Sequence, residues 1–455
     1  PLVHGEGAPA GGSPPLESGI REPLRHAEGT TPPSGSPEPA ASEAGAPPAS
    51  LCAPISALPE PRGPILYVAP DGSDTRGTGA IDRPFATLAR GSAAARPGDT
   101  VILRGGVYRT LQEQYIAARG TAAAPIVFRA APGERPILDG SDATLAGTFG
   151  GDRYRGLVTV AGAHLVFDGL EVRVSAASGL KLYQASHVTI RRSVFHDIAQ
   201  HALGGSGDDI TLEGNEVYRA SLANEGGAID RKNGGSGWAP AVLSWRFDNP
   251  MRRSQRWRMV GNYVHDVWGE CLDALYLDGG DVVGNAVHGC YSASIYIDNG
   301  RSLRIERNHV AVRDGTYARP DGQRAHGIVL ATESADIGCE AQATGQACPL
   351  EGLRIANNLV VGAPVGILYW HRSGARFGYR NLELFHNVVF GPQRESVYIG
   401  SSGGVPVGPA VAANNVFFGQ GAAAPVLVED HAVWTFRNNV YPSGVAPTLG
   451  RHEGN

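Results

Sequence analysis

The chain has 455 residues, a formal net charge of −5, 42% hydrophobic residues and 18% charged residues. Its length allows a large buried core, and the near-neutral balance argues against the basic surface that a nucleic-acid partner would need. No apolar run reaches the roughly 18 residues of a membrane-spanning helix.

Residues 1–62 hold 14 of the 32 prolines, with seven acids, three bases and little apolar periodicity. Such a stretch buries too little surface to offset its ordering entropy, and a disordered Pro/Ala/Gly-rich tail is expected. Residues 63–451 read as one all-β domain. Near its start, Arg83-Pro84-Phe85-Ala86-Thr87-Leu88 opens an Ala-rich helix predicted over about 81–96. Phe85, Leu88 and Ala89 share one face of that helix, which would cap the open end of a solenoid.

From residue 168 onward one unit recurs: a small or polar residue, Asn, any residue, then Val or an aromatic. It appears at Asn215, Asn262, Asn285, Asn308, Asn358, Asn387, Asn415 and Asn439, in steps of 47, 23, 23, 50, 29, 28 and 24. Ser193-Val194-Phe195 and Asp168-Gly169-Leu170 are degenerate earlier copies. The two steps near 50 are read as single turns carrying long insertions. Upstream lies a second pattern, small-apolar-x-apolar, as in Gly179-Leu180-Lys181-Leu182 and Ser294-Ile295-Tyr296-Ile297. This alternation is that of a half-buried strand. Units this short fold only by stacking, and stacked at about 4.8 Å they bury one continuous apolar column. The expected fold is a right-handed parallel β-helix of roughly 20–30-residue coils, with the Asn side chains forming an amide ladder at a turn.

In this register the apolar residues point inward, and Lys181, Asp273, Tyr296, Val329, Leu368 and Tyr398 form an outward column. Asp298 and Trp370 fall at the next outward position. The coil near Gly227 is assigned an outer face bearing Asp230 and Lys232. Insertions at 233–254, 313–325 and 333–350 are expected to wall a cleft beside this column. His196, His265 and His288 share one repeat position and are read as a stacked structural column rather than as metal ligands.

The stretch Tyr67-Val68-Ala69-Pro70-Asp71-Gly72-Ser73-Asp74 is followed by Pro84-Phe85-Ala86-Thr87-Leu88, Pro97-Gly98-Asp99-Thr100-Val101 and Gly105-Gly106-Val107-Tyr108-Arg109. With Pro125-Ile126-Val127-Phe128-Arg129-Ala130 and Ile137-Leu138-Asp139-Gly140, it resembles the opening of pectin-lyase-like β-helix proteins. That superfamily includes polysaccharide lyases, several glycoside hydrolase families and β-helices of no assigned activity. The nearest arrangement is that of family-nine-like pectate lyases, which set a Lys base beside a calcium-binding Asp cluster. The Asp-Pro-His-Glu of alginate epimerases and the Asn-Thr-Asp and Gly-His-Gly of polygalacturonase-type hydrolases are absent, as is the Lys-Ser pair of alginate and dermatan lyases.

The resemblance implies a polysaccharide-cleaving enzyme, and β-elimination of a uronic-acid polymer is the leading expectation. It needs a base and a cation to neutralise the sugar carboxylate. Lys232 is the expected base, near Asp230 and Arg231. The cation is Arg231 or a Ca²⁺ held by Asp208, Asp209 and Glu225. A glycoside hydrolase is the first alternative, because hydrolysis needs paired carboxyl groups and Glu270, Asp273 and Asp298 supply them. A non-catalytic glycan-binding or adhesive surface protein is the second. His371 is a further catalytic candidate. Tyr296, Trp370, Trp238, Trp245, Tyr398, Arg372 and His326 are expected to bind substrate. The chain is expected to be a secreted or cell-surface monomer with a Cys339–Cys348 disulfide. Cys271 and Cys290 form a second bridge or remain buried thiols, and Cys52 is left over.

Overall fold

The computed structural model describes residues 57–58, 62–143, 155–233, 237–245, 247–248, 251–312, 315–333, 349–371, 378–392, 394–400, 407–419, 425–429, 431–442 and 448–449. The expected tail at 1–62, Cys52, Cys339, Cys348 and Arg372 thus lie almost wholly outside the described residues.

The chain winds through three columns of parallel strands. One runs from Ile65–Val68 through Thr100–Leu103 and Ile126–Ala130 to Trp434–Arg437. A second runs through Gly106–Arg109, Glu171–Ser175, Val194–Ile198 and Tyr263–His265 to Val416–Phe418. The third, here called the site face, runs from Gln114–Ile116 through Leu272–Ala274, Ala293–Asp298, His326–Thr332 and Ile367–His371 to Val397–Ile399 and Val426–Val428. Residues such as Leu272, Ile295, Ile328, Ile367 and Val397 stack inward into one continuous apolar core. This is the parallel β-helix that the repeat predicts.

The Asn unit works as an amide ladder. In each coil the Asn Oδ1 accepts both the backbone N–H and the Nδ2 of the Asn one coil before, as at Asn262–Asn285, 2.9 and 3.0 Å. Each Nδ2 also donates to a backbone carbonyl, for Asn285 that of Met259 at 2.9 Å. The ladder runs unbroken from Asn215 to Asn439. Ser193 continues it, donating its backbone N–H to Asn215 and accepting that of Leu170 on its hydroxyl. The residue before each Asn has a left-handed backbone, from Gly214 (φ 60°) to Asn438 (φ 54°). That is why the position takes Gly, Asn or another polar residue.

Three details differ from the sequence reading. The amino-terminal helix is Leu88–Ala94, shorter than 81–96, with the Thr87 hydroxyl accepting the Arg90 N–H as its N-cap. Residues 233–254 are not all insertion, since Val242–Trp245 is a strand of the site face between Leu203–Glu213 and Leu272–Ala274. Asp230 and Lys232 do not lie on a strand but in the short helix Ala228–Asn233. Asn224 Oδ1 accepts the Ile229 and Asp230 N–H groups at 2.9 and 3.0 Å, which starts a helix there.

On the second column the predicted ring stack is present. His196, Tyr218, His265 and His288 lie in register. Their ring centroids are 4.7, 5.3 and 5.1 Å apart along the series.

Candidate functional site on the outward face

The outward column has the register that the repeat predicts: Lys181, Gly204, Leu243, Asp273, Tyr296, Val329, Leu368 and Tyr398 are successive strand partners. Gly204 is required between Lys181 and Leu243, because a Cβ there would come within 1.9 Å of the Leu243 carbonyl oxygen. This column does not line an open groove. Tyr296, Val329 and Leu368 are 1, 3 and 8% exposed, and they pack with Ala293, Ala331, Val365, Trp370 and Tyr398 into a second apolar cluster.

Under this cover lies a group of carboxyl groups. Glu270 and Asp273 flank the Cys271–Leu272 pair, and Asp298 ends the next strand. All three are buried, as is Glu333, which follows the strand His326–Thr332. Both Glu270 oxygens lie 2.9 Å from Trp238 Nε1. Burial pushes the Glu270 carboxyl up to about 7, against the opposing pull of the Trp238 and Ser292 hydrogen bonds and the Arg319 charge. Burial, and then the charges of Glu270 and Glu333, hold Asp273 well above the carboxylate range, and its Oδ1 has no hydrogen-bond partner. Burial and the charges of Glu333 and Asp273 do the same to Asp298. Asp298 accepts from Asn299 Nδ2 at 2.5 Å and from the Glu333 backbone amide. The Tyr296 hydroxyl donates to Glu333 Oε1.

The wall beside Glu270 is aromatic and charged. Trp238 packs edge-on against Tyr291, with centroids 5.3 Å apart, and the Arg319 guanidinium lies 5.3 Å from its ring centre. Tyr291 donates to Asp230 at 2.6 Å, and Asp230 pairs with Arg319 at 3.2 Å. Trp268 bridges Tyr291 and Tyr317. A Cys271–Cys290 disulfide ties the residue after Glu270 to the following coil, which resolves the alternative left open by the sequence.

Of the predicted catalytic residues, the structure therefore brings together Glu270, Asp273 and Asp298, with Asp230 linked to them through Arg319. Lys232 and Arg231 are exposed on their helix, and Arg231 donates to the Gly226 carbonyl. His371 is half-buried beside Thr332. Among the aromatic candidates, Trp238 and Tyr296 are buried with their polar atoms bound to Glu270 and Glu333, so neither ring is a bare stacking platform. Trp370, Trp245 and Tyr398 keep part of their rings accessible, and the Tyr398 hydroxyl donates to Glu429 at 2.9 Å. His326 starts its strand beside Ala293, and burial followed by the Arg394 and Arg319 charges lowers it to about 4.

The calcium candidates do not form a cage. Asp208 pairs with Arg252 at 2.7 Å, Asp209 pairs with Arg256 at 2.7 Å, and Glu225 is exposed. Among the described residues no three His, Cys, Asp or Glu side chains converge to hold a metal ion.

Glu333, Arg319, Tyr291 and Ser292 were not singled out from the sequence. The only signal for Glu333 is its place as the first residue of the 333–350 insertion.

Residues 66–230 match the family described as Pel9A-like, right handed beta helix region. Pectate lyase PEL9 of Emericella nidulans is 43% identical over 77 residues, 17% of this chain and 18% of that protein. Among solved structures, a GH136 lacto-N-biosidase from Eubacterium ramulus superposes with a TM-score of 0.54 at 14% identity, over 83% of this chain and 67% of that one. The Streptococcus pneumoniae surface protein and adhesin PfbA gives 0.55 at 11% identity, over 77% and 90%. At such identities the two structures show the fold alone. The resemblance to pectin-lyase-like β-helices thus holds in the coils and in the amino-terminal sequence signature. Among the described residues no helix is long and apolar enough to cross a membrane.

Proposed function

We propose, with the pectin-lyase-like β-helix as premise, that this protein is an extracytoplasmic glycan-cleaving enzyme of the glycoside hydrolase type. Glu270 is the proton donor, and Asp273 with Asp298 supplies the second carboxyl function. The observation that carries this reading is the Glu270 carboxyl. It is buried, poised near neutrality, oriented by the Trp238 indole, and set three residues from an Asp273 oxygen that has no partner. Hydrolysis of a glycosidic bond needs such a pair, one member protonated near the working pH and the other able to take up charge. Both groups are buried. The Cys271–Cys290 disulfide supports action in an oxidising compartment.

β-Elimination of a uronide is the second reading, favoured by the sequence match to a pectate lyase. Its expected base, Lys232, is exposed on the helix Ala228–Asn233. A panel of neutral and acidic polysaccharides, assayed for new reducing ends and for the ultraviolet absorbance of unsaturated uronides, separates the two. The hydrolase reading expects reducing ends without that absorbance, lost in Glu270→Gln and kept in Lys232→Ala. Absorbance that disappears in Lys232→Ala would reverse the assignment. Retention of a glycan with no shortening would leave a binding protein.

A further inference from the structure

We propose that Glu333, held by Tyr296, is the positioning residue of this site: it carries the negative charge of the carboxyl cluster and thereby keeps a proton on Asp273. The inference rests on the hydrolase reading for its catalytic consequence, but its electrostatic content stands without it.

Tyr296 is the strand partner of Asp273 one coil on, so the two residues sit side by side on one face, their backbones at roughly the 4.8 Å spacing of neighbouring strands. Its hydroxyl donates away from Asp273, to Glu333. The Glu333 backbone amide donates to Asp298. One residue therefore touches two sides of the cluster, by its side chain and by its main chain. A phenol that donates favours the ionised form of the carboxylate that receives the proton. No donor serves Asp273 Oδ1, so nothing comparable offsets the cost of an anion there. Buried like charges within one cluster cannot all ionise together. Of these two carboxyl groups, Glu333 has the Tyr296 donor and Asp273 Oδ1 has none, so the charge settles at Glu333 and the proton at Asp273.

The other ionisable groups facing the cluster fit this division. Glu270 lies three residues before Asp273, just ahead of the strand Leu272–Ala274, and has the Trp238 indole as its donor. Arg319 acts on Glu270 from the wall. The buried Arg253, whose Nη1 donates to the Asn299 carbonyl, acts on Asp298. The burial of Asp273 and the charges of Glu270 and Glu333 push its carboxyl in the direction of the protonated form.

Glu333→Gln tests this, because the amide is nearly isosteric and can still accept from Tyr296. The carboxylic-acid carbonyl stretch is followed against pH by difference infrared spectroscopy, with Asp273→Asn identifying the Asp273 band. In Glu333→Gln that band should titrate lower by about one pH unit or more. Tyr296→Phe should move it the same way by less, since Glu333 then holds its charge less firmly. On a cleaved glycan, the acid limb of kcat/KM, set by ionisation of Asp273, should move to lower pH with the band, while KM changes little. A purely structural role would lower the melting temperature without moving the band. A folded Glu333→Gln protein with the wild-type midpoint would overturn the proposal, as would a Tyr296→Phe shift to higher pH. If no glycan is cleaved but the band shifts, the hydrolase reading fails and the coupling stands. If glycan is cleaved and the band does not move, the coupling fails alone.

Discussion

Asn308 and Asn358 are 50 positions apart in the chain, yet Asn358 Oδ1 accepts both the backbone N–H of Asn308, at 3.0 Å, and its side-chain Nδ2, at 2.9 Å. Asn358 Nδ2 in turn donates to the Ile305 carbonyl at 2.8 Å. Asn358→Ala strands two buried donors and one acceptor. At about 1–3 kcal/mol for each unsatisfied group, the loss should be at least about 3 kcal/mol. Urea unfolding measures it, and wild-type stability in the variant would show the ladder to be dispensable.

The Cys271–Cys290 bridge closes a loop with a sequence separation of 19. A loop of this size contributes roughly 3 kcal/mol through the unfolded state. A Cys271→Ala, Cys290→Ala double variant should lose about that much, with a lower melting temperature under non-reducing conditions. Reductant should lower the melting temperature of the wild type and leave that of the double variant unchanged.

Trp238→Phe removes the indole N–H from both Glu270 oxygens. That hydrogen bond favours the ionised form, so its loss should raise the Glu270 carboxyl further above its present value of about 7. For a proton donor this moves the alkaline limb of kcat/KM to higher pH, while the rate falls because the carboxyl is less firmly oriented. A limb that stays in place would remove Glu270 from the role of acid.

The ring stack should make stability pH-dependent. His196 Nδ1 lies 2.7 Å from Asp197 and Nε2 3.1 Å from Glu171; the corresponding distances at His265 are 2.9 Å to Asp266 and 3.4 Å to Glu216. Burial opposes charge on both rings, but the carboxylates outweigh it and raise both above the ordinary histidine value. An imidazolium favoured in the folded state stabilises fully below the unfolded value, near 6.5, and loses that contribution as pH rises through the higher folded value. Melting temperatures taken from about pH 6 to 9 should therefore fall more steeply in the wild type than in His196→Gln, His265→Gln. Parallel curves would show that the rings are not protonated in the folded state.

The coils were legible in the sequence because their physics repeats. A left-handed residue before a buried Asn, and apolar residues alternating along short strands, recur often enough to fix the register of Asp273, Tyr296 and Tyr398. That same register brought Glu270 and Asp298 forward as candidates. What escaped was set by single contacts outside the repeat. Val242–Trp245 has no Asn unit beside it, so its strand reads as insertion. Asn224 starts a helix that the sequence pattern does not signal, which takes Lys232 off the outer face. Glu333 is joined to the cluster by Tyr296 and Asp298, which reach it from the preceding strand of the site face. Tyr296 and Trp238 were read as sugar-binding rings because a sequence shows their chemistry but not what covers them.

The step from Asn308 to Asn358 shows how the scaffold can change over time. The amide bonds hold across this step of 50 positions, and loop-closure entropy grows only slowly with loop length. Chain between these two positions can therefore be lengthened or exchanged at little cost to folding, so the ladder and the segments it spans can vary largely independently.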